Sequence, residues 1–300
     1  MVRILTDDED QRIAKHMDSG DQNGDTVVIR TGKVPRYLRS ILTFALGIAI
    51  VLVIWHTFAW YENTYSGVAL KFPTPMKTFE RMYDMFFEET LLLNHTIYEH
   101  IIGSLERWLI GFTLAAVVGL AIGFILGYFT SLYPIGIVPV SVFQMIPGLA
   151  WLPIAILLLG FGNEAAVFII FAVSSVTIAV NVTAGIRRIP PVVTRASKMM
   201  GAGGAVMFLK ITIPYATVDI VNGLRLGMAS AWRVLIAAEM LVPVGIGLGY
   251  AITMSRTILD YVGAFACVAI ICIIGLLLDK VVFARIEKYA RSRLGLEEGA

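Results

Sequence analysis

Charge is what this chain has least of. Asp, Glu, Lys and Arg make up 15% of its 300 residues, against about 25% in ordinary soluble domains. Cysteine and histidine are scarce as well, at two and four. Cys267 and Cys272 lie in one apolar run and point in different directions on a helix, which argues against an intrahelical disulfide and gives no metal-site spacing. His95 and His100 are off the i,i+4 face of a helical metal pair, and His16 and His56 lie in other regions. All four histidines are expected at surfaces or interfaces, and no metal site is expected. There is no G-x-x-x-x-G-K-[ST] run, no G-x-G-x-x-G opening a strand–helix unit and no H-E-x-x-H. No residue is assigned a catalytic role, and no cofactor is expected on this chain.

What is abundant is apolar sequence. The hydrophobic set makes up 57% of the residues, and the mean hydropathy is +0.78. Net charge is only +2, and the charges gather at the two ends and in two internal segments. Between them run apolar stretches of roughly 20 residues, enough to cross about 30 Å of hydrocarbon as a helix. A soluble core could not hide five or six of these. The expected class is all-α: a polytopic membrane protein with six transmembrane helices.

The boundaries follow the pattern of charge and proline. Residues 1–36 form a polar tail with an acidic run at Asp7, Asp8, Glu9 and Asp10, and with room for a short amphipathic helix around Ile13 to Met17. A cleaved signal peptide is not expected, because the first apolar run, from near Ile41, is too long for a signal's apolar core. The membrane domain is expected over 37–284, and a second tail over 285–300. Spans are expected at about Leu38–Tyr61, Leu105–Phe129, Tyr133–Phe161, Ala165–Ala184, Thr217–Leu241 and Leu259–Phe283. Pro75 is expected to open an interfacial helix over 76–92. Gly119, Gly123 and Gly127 lie four apart in the second span, with Gly111 before them, a spacing that lets helices approach closely. Pro134, Pro139, Pro147 and Pro153 argue against one straight rod in the third. Broken backbone at membrane depth needs protein or a cavity around it, which places Ser141, Gln144 and the Pro147-Gly148 turn inside the bundle. Ser174, Ser175 and Thr177 give the fourth span a polar side.

Residues 185–216 hold Arg187, Arg188, Arg195, Lys198 and Lys210 and no acid beside them. The excess of Lys and Arg marks a cytoplasmic segment. Six crossings then put both termini in the cytoplasm and the acidic segment 62–103 outside. Charge at membrane depth is costly and functional by default. Arg225, Arg233 and Glu239 in the fifth span are therefore candidates for the path or its gate. Arg233 is open to three readings: an anion site, a structural pair with Glu239 or Glu164, or a side chain reaching for the interface.

The segment from Thr194 reads Thr-Arg-Ala-Ser-Lys-Met-Met-Gly201-Ala202, and after eight more residues Ile211-Thr-Ile213-Pro214. It resembles the cytoplasmic loop of permease subunits of binding-protein-dependent ABC importers, whose pattern is E-A-A, three residues, G, nine residues, I-x-L-P. Gly201, Ile211 and Pro214 fall at the family spacing. Arg195, Ala196 and Ser197 stand where the family has Glu, Ala and Ala. Further resemblance lies in Ile146-Pro147-Gly148-Leu149-Ala150-Trp151-Leu152-Pro153, in Gly223-Leu224-Arg225, in Ala231-Trp232, in Ala238-Glu239-Met240 and in Gly247-Leu248-Gly249-Tyr250. It covers roughly residues 104–295 and points to the branch that imports nitrate, sulfonates, taurine or bicarbonate, some of whose members import pyrimidine precursors.

The resemblance implies a type I-like inner-membrane permease that performs no chemistry. Its 185–216 loop would form a coupling helix docked on a cytoplasmic ATPase, with contacts from Arg195, Ala196, Ser197, Gly201, Ala202, Ile211 and Pro214. Two permease copies, two ATP-binding subunits and an external solute-binding protein would form the transporter, and ATP would be consumed by the partner. Two rivals from other classes are a membrane-embedded enzyme acting on lipid-like substrates and an assembly protein with no transport cycle.

Overall fold

The computed structural model describes residues 36–67, 71–88, 92 and 94–293. The tail, with the short amphipathic helix expected around Ile13 to Met17, lies outside the described residues. The chain divides into two compact units, residues 1–54 and 55–300. Of the first, the described part is the start of α1, Arg36–Tyr65, which is apolar around its whole circumference.

In the second unit, α2 (Pro75–Phe87) starts as the proline requires, with Thr74 capping the Lys77 N–H and Pro75 in the first turn. A capping box between Thr96 and Glu99 opens α3 (Ile97–Tyr128). Next come α4 (Tyr133–Met145), a 3₁₀ turn at Gly148–Trp151, and α5 (Leu152–Leu159). The chain bends by 99° between α4 and the segment after it, so the expected break is present. It is followed by α6 (Asn163–Arg187), the short α7 (Pro191–Met199), and α8 (Gly204–Leu241), which contains a wider π turn at Phe208–Thr212. The chain ends with α9 (Leu248–Thr257), α10 (Tyr261–Leu277), a second π turn at Leu278–Phe283, and α11 (Ala284–Arg293). The sequence reading did not include α9, placed the start of α8 too late, and treated α11 as tail.

The glycines of α3 form its contact with α6. A Cβ at Gly111 would stand 2.8 Å from Ile170, at Gly119 2.6 Å from the Ser175 carbonyl, at Gly123 2.7 Å from Val182 and at Gly127 2.8 Å from Ile186. Ala115, fully buried, continues the stripe. Bare backbone lets the helices meet at a distance no side chain would permit, and dispersion across that seam holds them where lipid removes the hydrophobic drive. The pairing Gly111–Ile170 through Gly127–Ile186 also fixes direction, since both numbers rise together. The helices are parallel, so residues 129–162 must return along their full length. The bent α4–α5 pair is therefore one crossing. Among the described residues five unbroken helices are long and apolar enough to cross a membrane, and the broken one makes six.

Against α6, α8 runs antiparallel, with Gly223 facing Asn181 and Val182, and Gly227 facing Ile178. Trp108 stacks on Phe112 and meets Trp232 edge-on, at centroid distances of 5.4 and 6.5 Å. The Trp232 Nε1–H donates to the Ile271 carbonyl at 3.2 Å, which ties α8 to α10. Cys267 and Cys272 are free.

Ser141 is half-buried, and Gln144 and Pro147 are exposed on this chain. This differs from their expected burial inside the bundle: α4 has no buried residue, and it is after the bend that the chain rejoins the core, with Ala155 fully buried, Trp151 and Leu152 packed against the core and Gly148 close to Val173 and Val234.

Candidate functional site

Charge and polarity concentrate at two places. One end of the bundle, the acidic end, has Glu99, Glu106, Glu164 and Glu239 near it and carries the connections 160–162 and 242–260, and the other carries the basic segment 188–203.

At the acidic end, His100, Ser104 and Arg107 follow one another at i, i+4 and i+7 and form a polar stripe on α3. All three are buried, Arg107 with 6% of its surface exposed. They face Glu239 near the end of α8, which is 1% exposed. Arg107 donates from Nε at 2.9 Å and from Nη2 at 2.7 Å to Glu239 Oε1. Its Nη1 donates to Asn163 Oδ1 at 2.9 Å, and Nη2 also reaches the Ile246 carbonyl. Ser104 Oγ donates to the same carboxylate at 2.9 Å.

This node caps α9. A helix start leaves its first N–H groups without intrahelical partners. Here three in succession are taken by side chains from elsewhere: Gly247 N–H by His100 Nδ1 at 3.0 Å, Leu248 N–H by Ser104 Oγ at 2.9 Å and Gly249 N–H by Glu239 Oε2 at 2.9 Å. The His100 ring completes its pairing by donating from Nε2 to the Leu92 carbonyl at 3.1 Å, so the neutral Nε2–H tautomer satisfies both contacts. The Glu239 carboxylate also sits where the positive end of the α9 dipole favours it. Side chains cannot be added here: a Cβ at Gly247 would lie 2.8 Å from the Glu239 carboxylate, and one at Gly249 2.7 Å from Glu239 Cβ.

Two expectations are corrected at this node. Glu239 pairs with Arg107, not Arg233, because Arg233 lies on the exposed side of α8. It makes no ion pair among the described residues. His100 is a fully buried cap and not a surface histidine. Arg107 was missed from sequence. Its signal was the His100–Ser104–Arg107 spacing on an otherwise apolar helix.

Arg225 is engaged too. It grips Asp279 through Nε at 2.6 Å and Nη2 at 3.1 Å, and reaches Glu287 through Nη1 at 3.1 Å. The π turn Leu278–Phe283 carries Asp279. Thr177 Oγ1 donates to its own helix at Val173 O, 3.0 Å away. Ser174 Oγ is buried without a partner among the described residues.

At the basic end, α7 opens on Pro191. It closes with two reversed bonds, Gly201 N–H to the Lys198 carbonyl and Ala202 N–H to the Ser197 carbonyl, each 3.0 Å. With Gly201 at φ +83°, this is a Schellman stop, and the glycine is there for its left-handed conformation. No other atom lies within 4 Å of a Cβ built at Gly201. Arg195 and Lys198 are exposed, Ala196 and Ala202 are half-buried, and Ser197 is buried with its Oγ donating to Val193 O at 2.8 Å. Val192, Met199 and Met200 project uncovered at 70%, 83% and 79% exposure. Ile211 and Pro214 are not part of this helix. They lie within α8, where the π turn bonds Ile213 N–H to Phe208 O and shifts the register just ahead of the proline's missing donor.

Residues 119–288, more than half of the chain, match the family described as binding-protein-dependent transport system inner membrane component. The chain is 32% identical over 251 residues to a nitrate import permease protein of Synechocystis, covering 81% of this chain and 87% of that one. It is 30% identical over 251 residues to a bicarbonate transport system permease protein of Synechococcus elongatus, covering 82% and 88%. The inward-facing MetNI methionine ABC transporter shares the fold, with a TM-score of 0.57 at 20% identity over 65% of this chain and 95% of that chain. The chain therefore belongs to the inner-membrane components of binding-protein-dependent transport systems: it is a multi-pass ABC importer permease that works with ATP-binding subunits and a solute-binding protein, and it is not itself an enzyme.

Proposed function

We propose that this permease carries a small oxyanion of the nitrate or bicarbonate type, with sulfonates and taurine as the next class, and that it acts as a homodimer on two ATP-binding subunits. The basic end, with 185–216 and both termini, faces the cytoplasm, and the acidic end receives the binding protein. One observation carries the reading: α7 is a short helix, stopped at Gly201, whose Val192, Met199 and Met200 project beside Arg195 and Lys198 with no cover from the described residues. Apolar side chains ringed by cations suit a docking knob on a partner surface. Ala196, Ser197, Ala202, Ile211 and Pro214 shape its back and its root.

The solute class rests on the relatives that import nitrate and bicarbonate and on Arg233. That guanidinium sits eight residues before the end of α8, ~12 Å from it along the axis, and it makes no ion pair among the described residues. Ser141, Gln144 and Pro147 line the face that a second copy would complete. Arg225 and Glu239 are held in pairs and act structurally.

The test is reconstitution with the ATP-binding subunits in proteoliposomes, with solute-loaded binding protein added outside. Nitrate or bicarbonate uptake with stimulated ATP hydrolysis is expected. Stimulation by a pyrimidine-loaded binding protein alone would overturn the solute class. No stimulation by any loaded binding protein, in a complex that assembles, would overturn the coupling role.

A further inference from the structure

A groove of about 460 Å³ opens between α3 and α6 near the acidic end, within the ~300–1,000 Å³ typical of small-molecule sites. Its lining has a pronounced polarity. Glu106 stands at the top of one wall, with Ile110 and Leu114 following at steps of four. Glu164 stands at the top of the other, with Phe168 and Phe171 four and seven residues on. Because α3 and α6 are parallel, the two stripes descend side by side from carboxylate to hydrocarbon. Glu164 is the second residue of α6, and Glu106 lies nine residues into the 32-residue α3, whose length of ~48 Å exceeds the ~30 Å hydrocarbon layer. Both carboxylates are thus at the membrane boundary, with the apolar stripes in the acyl region.

Both carboxylates are exposed, and among the described residues neither has an ion-pair partner. Arg107, the cation in the lining, is committed to Glu239. The mouth of the groove is therefore net negative, which disfavours a ligand of net negative charge and attracts a cationic group. Such a groove fits an amphiphile with a positive head and a hydrocarbon tail. We propose that it holds a phospholipid with a primary-amine headgroup, the ammonium between Glu106 and Glu164 and the upper acyl chain against Ile110, Leu114, Phe168 and Phe171. A primary ammonium offers three N–H donors to two carboxylates, and a quaternary one offers none. The inference does not depend on which solute is carried.

The experiment uses the full chain in its complex with the ATP-binding subunits, in nanodiscs of equimolar phosphatidylethanolamine, phosphatidylcholine and phosphatidylglycerol with identical acyl chains. Lipids retained after detergent extraction are counted by native mass spectrometry. Phosphatidylethanolamine is expected to be enriched about tenfold over phosphatidylglycerol, the ratio that corresponds to ~1.4 kcal/mol. E106Q/E164Q should abolish the enrichment. Ile110→Trp, at a position already 54% exposed, should lower retention of all three lipids by filling the chain part of the groove. Equal retention of the three headgroups by the unmodified protein would overturn the proposal, as would enrichment that persists in E106Q/E164Q. Efficient disulfide cross-linking of E106C to E164C between two copies, in a chain lacking Cys267 and Cys272, would also overturn it by showing that protein covers the groove.

Discussion

Arg107 and Glu239 lie 132 residues apart in the chain and meet at 2.7 Å, both nearly sealed from solvent. The pair joins α3 to α8 and, through the Gly249 N–H, sets the start of α9. Removing one partner leaves a buried charge uncompensated, at a cost of ~3–5 kcal/mol. Arg107→Ala should therefore lower the thermal midpoint of the solubilised permease sharply and reduce its yield. R107L/E239L, which removes both charges, should recover a large part of that loss. Equal midpoints for Arg107→Ala and the unmodified protein would show that the pair carries no stability.

Gly201 separates conformation from bulk. Its backbone is left-handed and a Cβ would meet nothing, so Gly201→Ala should cost only the backbone strain, ~1–2 kcal/mol, local to the end of α7. Gly201→Asn should be milder, since Asn visits that conformation. Gly201→Trp should insert normally and lose binding-protein-stimulated ATP hydrolysis. Full stimulation in the Trp variant would end the docking assignment.

The α3–α6 seam predicts graded intolerance. Gly119→Ala drives a methyl against a backbone carbonyl, which cannot rotate away, and overpacking of this kind costs ~1–3 kcal/mol. Gly203→Ala, with nothing within 4 Å, is the control and should be silent. Thermal midpoints of the two variants in one detergent give the comparison, and equal midpoints would contradict the close approach.

Arg233 tests the solute path. Arg233→Ala should slow uptake several-fold with assembly intact, and Arg233→Lys should keep part of the rate, because charge survives although the planar fork is lost. Unchanged uptake of a proven anionic solute by the Ala variant would remove Arg233 from the path.

Sidedness has its own test. In a chain without Cys267 and Cys272, cysteines at Lys198 and Glu88, both exposed, should react with an impermeant maleimide from opposite sides. Labelling of Lys198→Cys from outside the cell would reverse the proposed orientation.

Apolar runs and prolines made most of the architecture legible in the sequence. Six crossings, the break around Pro147, and the start of α2 at Pro75 all depend on local chemistry, which a sequence displays directly. Gly111 to Gly127 announced a close contact, but not its partner, because which helix fills a groove is settled by three-dimensional packing. The same limit hid the polar node. Arg233 and Glu239 look like neighbours along one helix, yet the carboxylate turns to Arg107 on another. For α9 the obstacle was different: the caps that start it come from α3 and α8, so no local N-cap signal precedes Leu248. The Schellman stop of α7 was half legible, with Gly201 standing out but its reason visible only in the backbone.

The parallel alignment of α3 and α6 has a consequence for biogenesis. Helices that follow one another directly in a membrane can zip together as a hairpin as soon as both have emerged. These two cannot, because residues 129–162 must cross back before α6 can enter beside α3 in the same direction. During synthesis the glycine stripe of α3 therefore waits without the α6 side chains that later fill it. A pause or truncation before residue 187 would strand that stripe, and quality control of this permease should act on precursors of that length.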